Sequence, residues 1–139
     1  MTRDTIDDRV LTRIAQEKGD VFLRADFRDL GGYDQVGRAL LGLVRKGGLI
    51  KVGYGLYGRA RPSTLDGRPV LVGGLRTLKD ALRRVGVEIV LTRMQQAYND
   101  RRSTQVPTGQ VVGVRGRVRR QVGYDGFTLG YERAGSTAR

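Results

Sequence analysis

Two glycine pairs, Gly31-Gly32 and Gly47-Gly48, bracket a stretch with a single helical reading. Val36, Ala39, Leu40, Leu43 and Val44 recur at three- and four-residue intervals, the period of an α-helix with one apolar stripe. Gly31-Gly32 supplies a tight turn before it and Gly47-Gly48 a stop after it. The spacing predicts a helix over 34–46. The next residues, Leu49 to Gly58, are β-prone on both sides of Gly53-Tyr54-Gly55, which reads as a hairpin.

The residues before the first glycine pair are suited to cover that stripe. Thr5 can cap a helix, with Asp8 three residues on in a capping-box-like pattern. Ile6, Val10, Leu11 and Ile14 follow at helical spacing, and Gly19 ends the run. Val21-Phe22-Leu23 is a short β-prone stub. Ala25 to Leu30 reads as a second, brief helix with Phe27 and Leu30 inward. The order helix, stub, helix, glycine turn, helix, hairpin is that of a winged helix-turn-helix.

Arg61-Pro62-Ser63 and Asp66-Gly67-Arg68-Pro69 then break the pattern. They divide the chain into a winged helix-turn-helix over 1–61 and a small α+β region over 62–139. The second part is expected to hold a helix over about 77–85 with Leu78, Ala81, Leu82 and Val85 inward, and a strand over 87–91. A short helix over 93–99 follows, then two or three antiparallel strands over 110–133 around a turn at Tyr124-Asp125-Gly126-Phe127. The tail from Ala134 is small and polar and is expected to be loose. The expected fold class is therefore α+β: an N-terminal winged helix-turn-helix, then a small α/β C-terminal region ending in antiparallel strands. Halves of this size are marginal alone, so they are expected to pack together.

Charge narrows the function. The 139 residues carry a net charge of +12, which favours a polyanionic partner through phosphate attraction and counterion release. The charge is unevenly placed. Residues 1–34 hold six bases against eight acids, residues 35–60 five bases and no acid, and residues 61–139 fifteen bases against six acids. The acid-free window covers the glycine-bounded helix and the hairpin.

Other chemistries fare worse. The chain has no cysteine and no histidine, which removes disulfides, thiolate metal sites, the commonest zinc ligand and the commonest general base. Asp125 and Glu132 are isolated, and Asp4, Asp7 and Asp8 cluster at a helix start, where acids are expected. No Gly-Lys-Ser/Thr phosphate loop is present. The expectation is a protein that is not an enzyme, with no cofactor and no metal. No run of 18 apolar residues exists and the N-terminus lacks an apolar signal core, so a cytoplasmic protein with no membrane partner is expected.

With the stripe turned inward, the third helix leaves Tyr33, Asp34, Gln35, Arg38, Gly42, Arg45 and Lys46 outside. Tyr33, Gln35, Arg38 and Gly42 are the candidates for contact with base edges. Arg can grip a guanine and Gln an adenine through paired hydrogen bonds. Arg45, Lys46 and Lys51, with Tyr54 and Arg59 on the hairpin, are the candidates for the DNA backbone. A second basic run, Gly113 to Arg120, alternates so that Arg115, Arg117 and Arg119 fall on one face with Val114 and Val118 inward. With Arg120, and with Lys79, Arg83 and Arg84 on the helix near residue 80, these form a candidate accessory patch. The patch reads equally as a solvated face.

Several stretches resemble the AbiEi-like antitoxins of type IV toxin–antitoxin systems: Gly19-Asp20-Val21-Phe22, Asp26-Phe27-Arg28-Asp29-Leu30-Gly31, the run from Ala39 through Lys46-Gly47 to Ile50, and Gly55-Leu56-Tyr57. Ala97-Tyr98-Asn99 and Ser103-Thr104-Gln105-Val106-Pro107 resemble the family's second signature. The resemblance covers most of residues 6–132. It implies a winged helix that binds operator repeats in double-stranded DNA and represses its own operon. It also implies a C-terminal domain that counteracts a nucleotidyltransferase-like toxin without forming a stable complex. The chain departs from the pattern by being short and by carrying Asp100-Arg101-Arg102 where small residues are usual.

Two other readings stay open. An RNA-binding or ribosome-associated module could use the arginines of 115–120, although aromatics for base stacking are sparse there. A protein-interaction adaptor could dock an acidic partner on the β-rich second half.

Overall fold

A computed structural model describes residues 5–101 and 110–134. The motif Ser103-Thr104-Gln105-Val106-Pro107 and the tail 135–139 lie outside the described residues. The fold is mixed α+β. In chain order it runs α1 (Ile6–Gln16), β1 (Val21–Leu23), a 3-10 turn (Arg24–Phe27), α2 (Tyr33–Arg45), β2 (Leu49–Gly53), β3 (Leu56–Pro62), β4 (Pro69–Leu71) and α3 (Leu75–Arg84). It continues with β5 (Glu88–Val90), α4 (Arg93–Asn99), β6 (Val111–Arg115), β7 (Gly123–Tyr124), β8 (Phe127–Thr128) and β9 (Gly130–Ala134).

The first sheet has the order β1-β3-β2, all antiparallel, and β4 pairs with the far end of β3. Its residues alternate between two cores, as the two-residue period of a strand requires. Phe22, Leu49 and Tyr57 face Val10, Ile14, Phe27, Val36, Ala39 and Leu40, the inner residues of α1, the 3-10 turn and α2. Val21, Val52 and Leu56 face Leu71, Leu78, Ala81, Leu82, Val112, Val114, Val122 and Leu129. The sheet is thus buried on both sides, which explains why Val21-Phe22-Leu23 is an unbroken apolar run rather than an alternating one. Residues from both sides of the expected division at 61/62 build the second core.

Local chemistry sets the helix ends. The Thr5 hydroxyl accepts from the Asp8 N–H, and the Asp8 carboxylate accepts from the Thr5 N–H, so the capping box forms at α1. The second helix expected over 25–30 is instead a single 3-10 turn, because few residues separate the end of β1 from Gly31 and the Asp26 carboxylate draws in the Leu23 N–H at 2.9 Å. Arg13 braces this turn from α1. Its guanidinium donates to both Asp29 carboxylate oxygens, at 2.6 and 2.8 Å, and to the Asp26 carbonyl at 2.8 Å.

The strands of the second half depart from expectation. β6 pairs antiparallel with β5, but its other neighbour, β9, runs parallel to it. The Asp125-Gly126 turn closes a separate two-stranded hairpin, β7–β8, with both turn residues at positive φ. Residues 116–129 thereby supply the connection of about a dozen residues or more that parallel pairing needs. The expected alternation of Arg115, Arg117 and Arg119 along one strand also fails. Gly116, at φ +87°, turns the chain out of β6, and Arg117 and Arg119 lie beyond the strand.

Two outcomes follow from this packing. Leu78, fully buried on the second face of the first sheet, is expected to cost about 2–5 kcal/mol when replaced by Ala. Because its core spans both halves, urea melts followed by far- and near-ultraviolet circular dichroism should coincide for wild type and variant. A C-terminal half that melted separately would contradict the shared core. The Arg13 guanidinium holds the Asp29 carboxyl down at about 2, from an ordinary 3.8. A lowered carboxylate pKa stabilises the fold above the ordinary value and ceases to do so as pH falls through the lowered one. Asp29→Asn should therefore flatten the loss of stability between about pH 4 and pH 2. An unchanged acid limb in urea melts would show that this pair does not couple to folding.

Candidate nucleic-acid interface

α2 lies with its apolar stripe on α1 and the first sheet and its other side in solvent. Val36, Ala39 and Leu40 are buried, while Tyr33, Asp34, Gln35, Arg38, Arg45 and Lys46 are exposed. The helix starts beside the tip of the β2–β3 hairpin and ends at its base, since Gly47 and Gly48 lead directly into β2. Its 13 residues span about 20 Å.

Arg38 and Lys51, 13 positions apart in sequence, come together on one shallow groove between α2 and the hairpin, lined also by Arg24, Asp34, Leu41 and Tyr57. Lys51 sits there because strand alternation gives it the same face of β2 as Leu49, beyond the reach of α2. Among the described residues, none pairs with Arg38, Arg45, Lys46 or Lys51. By contrast, Arg13, Arg24, Arg59, Arg68, Arg83, Arg84, Arg93 and Arg115 all lie within 4.0 Å of a carboxylate. Cations left without a carboxylate keep a stronger outward field.

Tyr33 and Tyr54 act as a strut. Their hydroxyls meet at 3.2 Å, tying the start of α2 to the hairpin tip. This bond is the main cause that raises the Tyr33 pKa, ahead of desolvation. Both rings stay largely exposed, 60% and 77%. The tip itself depends on Gly55, whose φ of +68° lets the chain reverse between Gly53 and Leu56. Arg24, absent from the sequence-based candidates, completes the strut. Its guanidinium lies 3.5 Å from the centroid of the Tyr33 ring and donates to the Tyr33 carbonyl at 2.6 and 3.1 Å. The signal for it was Gly37, a glycine inside an amphipathic helix. A Cβ at that position would stand 2.3 Å from an Arg24 nitrogen.

Other expected residues have different surroundings. The Gln35 side-chain oxygen accepts from the Gly32 N–H at 3.0 Å and so caps α2, which occupies half of the amide expected to meet an adenine. Gly42 is half-buried on the outer side of α2. Arg59, expected on the hairpin surface, points inward and is 27% exposed. It pairs with Asp20 at 3.0 Å and donates to the carbonyls of Ile14, Glu17 and Gly19 at 2.9–3.1 Å. These carbonyls end α1 and lead into β1, where a cation is favoured by the helix dipole.

The accessory patch divides. Arg83 pairs with Asp80 at 2.9 Å and Arg84 with Asp26 at 2.7 Å, in a neighbourhood that also holds Glu17 and Asp20. Arg115 pairs with Glu88 at 3.1 Å. Lys79 is half-buried on α3. Arg117, Arg119 and Arg120 are exposed, and the Arg120 guanidinium donates to the Tyr54 carbonyl at 3.3 Å. Among the described residues, no three carboxylates gather as a metal site and no helix is long and apolar enough to cross a membrane.

If Arg59 serves the α1 end rather than phosphate, Arg59→Lys should lower stability by about 1–3 kcal/mol, since one ammonium cannot serve four acceptors in a fork. A thermal melt checks this, and an unchanged melting temperature would return Arg59 to the surface role.

The chain belongs to DUF6088, a family of unknown function whose profile matches residues 8–129. No curated protein and no solved structure matches it.

Proposed function

We propose that this protein is a sequence-specific DNA-binding transcriptional regulator in which residues 1–61 form a winged helix-turn-helix. In this reading α2 is the recognition helix, the 3-10 turn replaces the helix before it, and the β2–β3 hairpin is the wing. The antiparallel order β1-β3-β2 suits that arrangement. The observation that carries the reading is the cationic face. Arg38 and Arg45 on α2, Lys46 at its C-terminal cap and Lys51 on β2 are all exposed, and among the described residues none of them is in a salt bridge, although Asp34 lines the same groove as Arg38 and Lys51.

The mechanism follows from position. A major groove of about 12 Å admits one helix. Arg38, in the first half of α2, would donate two hydrogen bonds to a guanine edge. Arg45 and Lys46 at the far end, and Lys51 beside the groove, would hold phosphate oxygens and fix the register. Tyr54 at the hairpin tip would lie against the neighbouring backbone. Asp34 lines the same groove, and the Arg24 guanidinium, 3.8 Å from its carboxylate, offsets its charge there. The resemblance to AbiEi-like antitoxins supplies the biological setting: repression of the protein's own operon, with the second half counteracting a nucleotidyltransferase-like toxin.

Arg38→Ala is expected to weaken binding to the duplex upstream of the protein's own gene by about 1–3 kcal/mol while leaving binding to a scrambled duplex nearly unchanged. Arg38→Lys should keep much of the affinity but lose discrimination, because an ammonium does not present the bidentate fork. Equal losses on both duplexes, measured by fluorescence anisotropy, would mean that Arg38 contacts only phosphate. A preference for structured RNA over either duplex at matched salt would favour the RNA-binding reading instead.

A further inference from the structure

The basic segment 116–120 belongs to the second half of the chain, yet the fold brings it to the hairpin tip. The Arg120 guanidinium donates to the Tyr54 carbonyl at 3.3 Å. The Arg120 carbonyl in turn accepts from the Tyr131 hydroxyl at 2.8 Å. On the next residue, the Gln121 carbonyl approaches so closely that a Cβ at Gly53 would stand 2.9 Å from it. Val122 is fully buried, and Val118 packs against the same core. Arg117 and Arg119 are therefore displayed on either side of an anchored valine. Both are exposed, and neither has a partner among the described residues. Arg115 is excluded by its bond to Glu88.

We infer that residues 116–120 form a second, preorganised clamp for the sugar–phosphate backbone of double-stranded DNA, with Arg117 and Arg119 as the phosphate-binding side chains and Tyr131 as the positioning residue. The inference rests on the DNA-binding reading above and extends it. The interface does not end at the wing, but runs from Arg45 and Lys46 at one end of α2, past Arg38 and Lys51, over Tyr54, to a loop of the second half. A clamp of this kind carries no sequence information, because it meets only phosphate. Its fixed backbone limits the ordering cost of binding, since only the two arginine side chains must be immobilised.

The clamp has a signature distinct from that of base readout. Each phosphate contact contributes about 0.9 to the slope of log affinity against log salt concentration. Arg117→Ala with Arg119→Ala should lower that slope by about 2 and weaken the upstream duplex and a scrambled duplex by the same factor. Arg117→Lys with Arg119→Lys should keep the slope, and Tyr131→Phe should lower it by a smaller amount while both arginines remain. A thermal melt of each variant verifies folding. An unchanged slope in the double alanine variant, with the wild type still preferring the upstream duplex, would overturn the clamp and leave the DNA-binding reading standing. A wild type that binds neither duplex would overturn both.

Discussion

The three strands β1, β3 and β2 form a sheet with a hydrophobic core packed on each face, and the rest of the molecule is arranged by that constraint. Alternate residues send Phe22, Leu49 and Tyr57 to α1 and α2, and Val21, Val52 and Leu56 to α3 and the later strands. Neither side can be left to water without exposing a row of fully or nearly fully buried side chains. At about 25 cal/mol per Å² of apolar surface, such a row is a large share of a marginal stability. The two halves of the chain are thus bound to a common divider, and the position of one reports the position of the other.

That divider also sorts the charges. Arg59 is drawn inward because its place on β3 puts it over the open carbonyls at the end of α1, with the Phe22 ring 5.2 Å away. Arg84 crosses from α3 to Asp26 and links the second half to the turn before α2. Arg13 and Arg24 brace the same turn and the start of α2. These cations are engaged with acids and carbonyls of the fold, whereas Arg38, Arg45, Lys46 and Lys51 form no salt bridge among the described residues, and Asp34 is the acid that α2 sets beside them. The Tyr33–Tyr54 contact then makes helix and hairpin one surface, and the Arg120–Tyr54 contact attaches the second half to it.

Much of this was legible in the sequence, for physical reasons that differ by element. α2 and α3 announced themselves because an apolar stripe of period 3.6 and glycine stops are local signals. The Asp125-Gly126 turn was legible because that dipeptide tolerates positive φ. The parallel pairing of β9 with β6 was not, since alternation marks a strand but says nothing about its neighbour's direction. The inward turn of Arg59 was equally hidden, because its partners lie some 40 positions earlier and cation count alone cannot locate them. Gln35 sits between these cases: a glutamine three residues after a cap position is a known helix-start pattern, but at this position it competed with a base-reading role. The placement of Arg120 on the hairpin tip required the whole fold.

The central claim is that one continuous face of this molecule reads a particular DNA duplex. The most direct measurement is a gel shift of the wild-type protein on the duplex upstream of its own gene, against a scrambled duplex of equal length, at two salt concentrations. Tighter binding to the upstream duplex that persists at the higher salt is the expected result, because base contacts survive where counterion release weakens. Equal binding to both duplexes, with both released at about 200 mM salt, would contradict the claim and leave only general phosphate attraction.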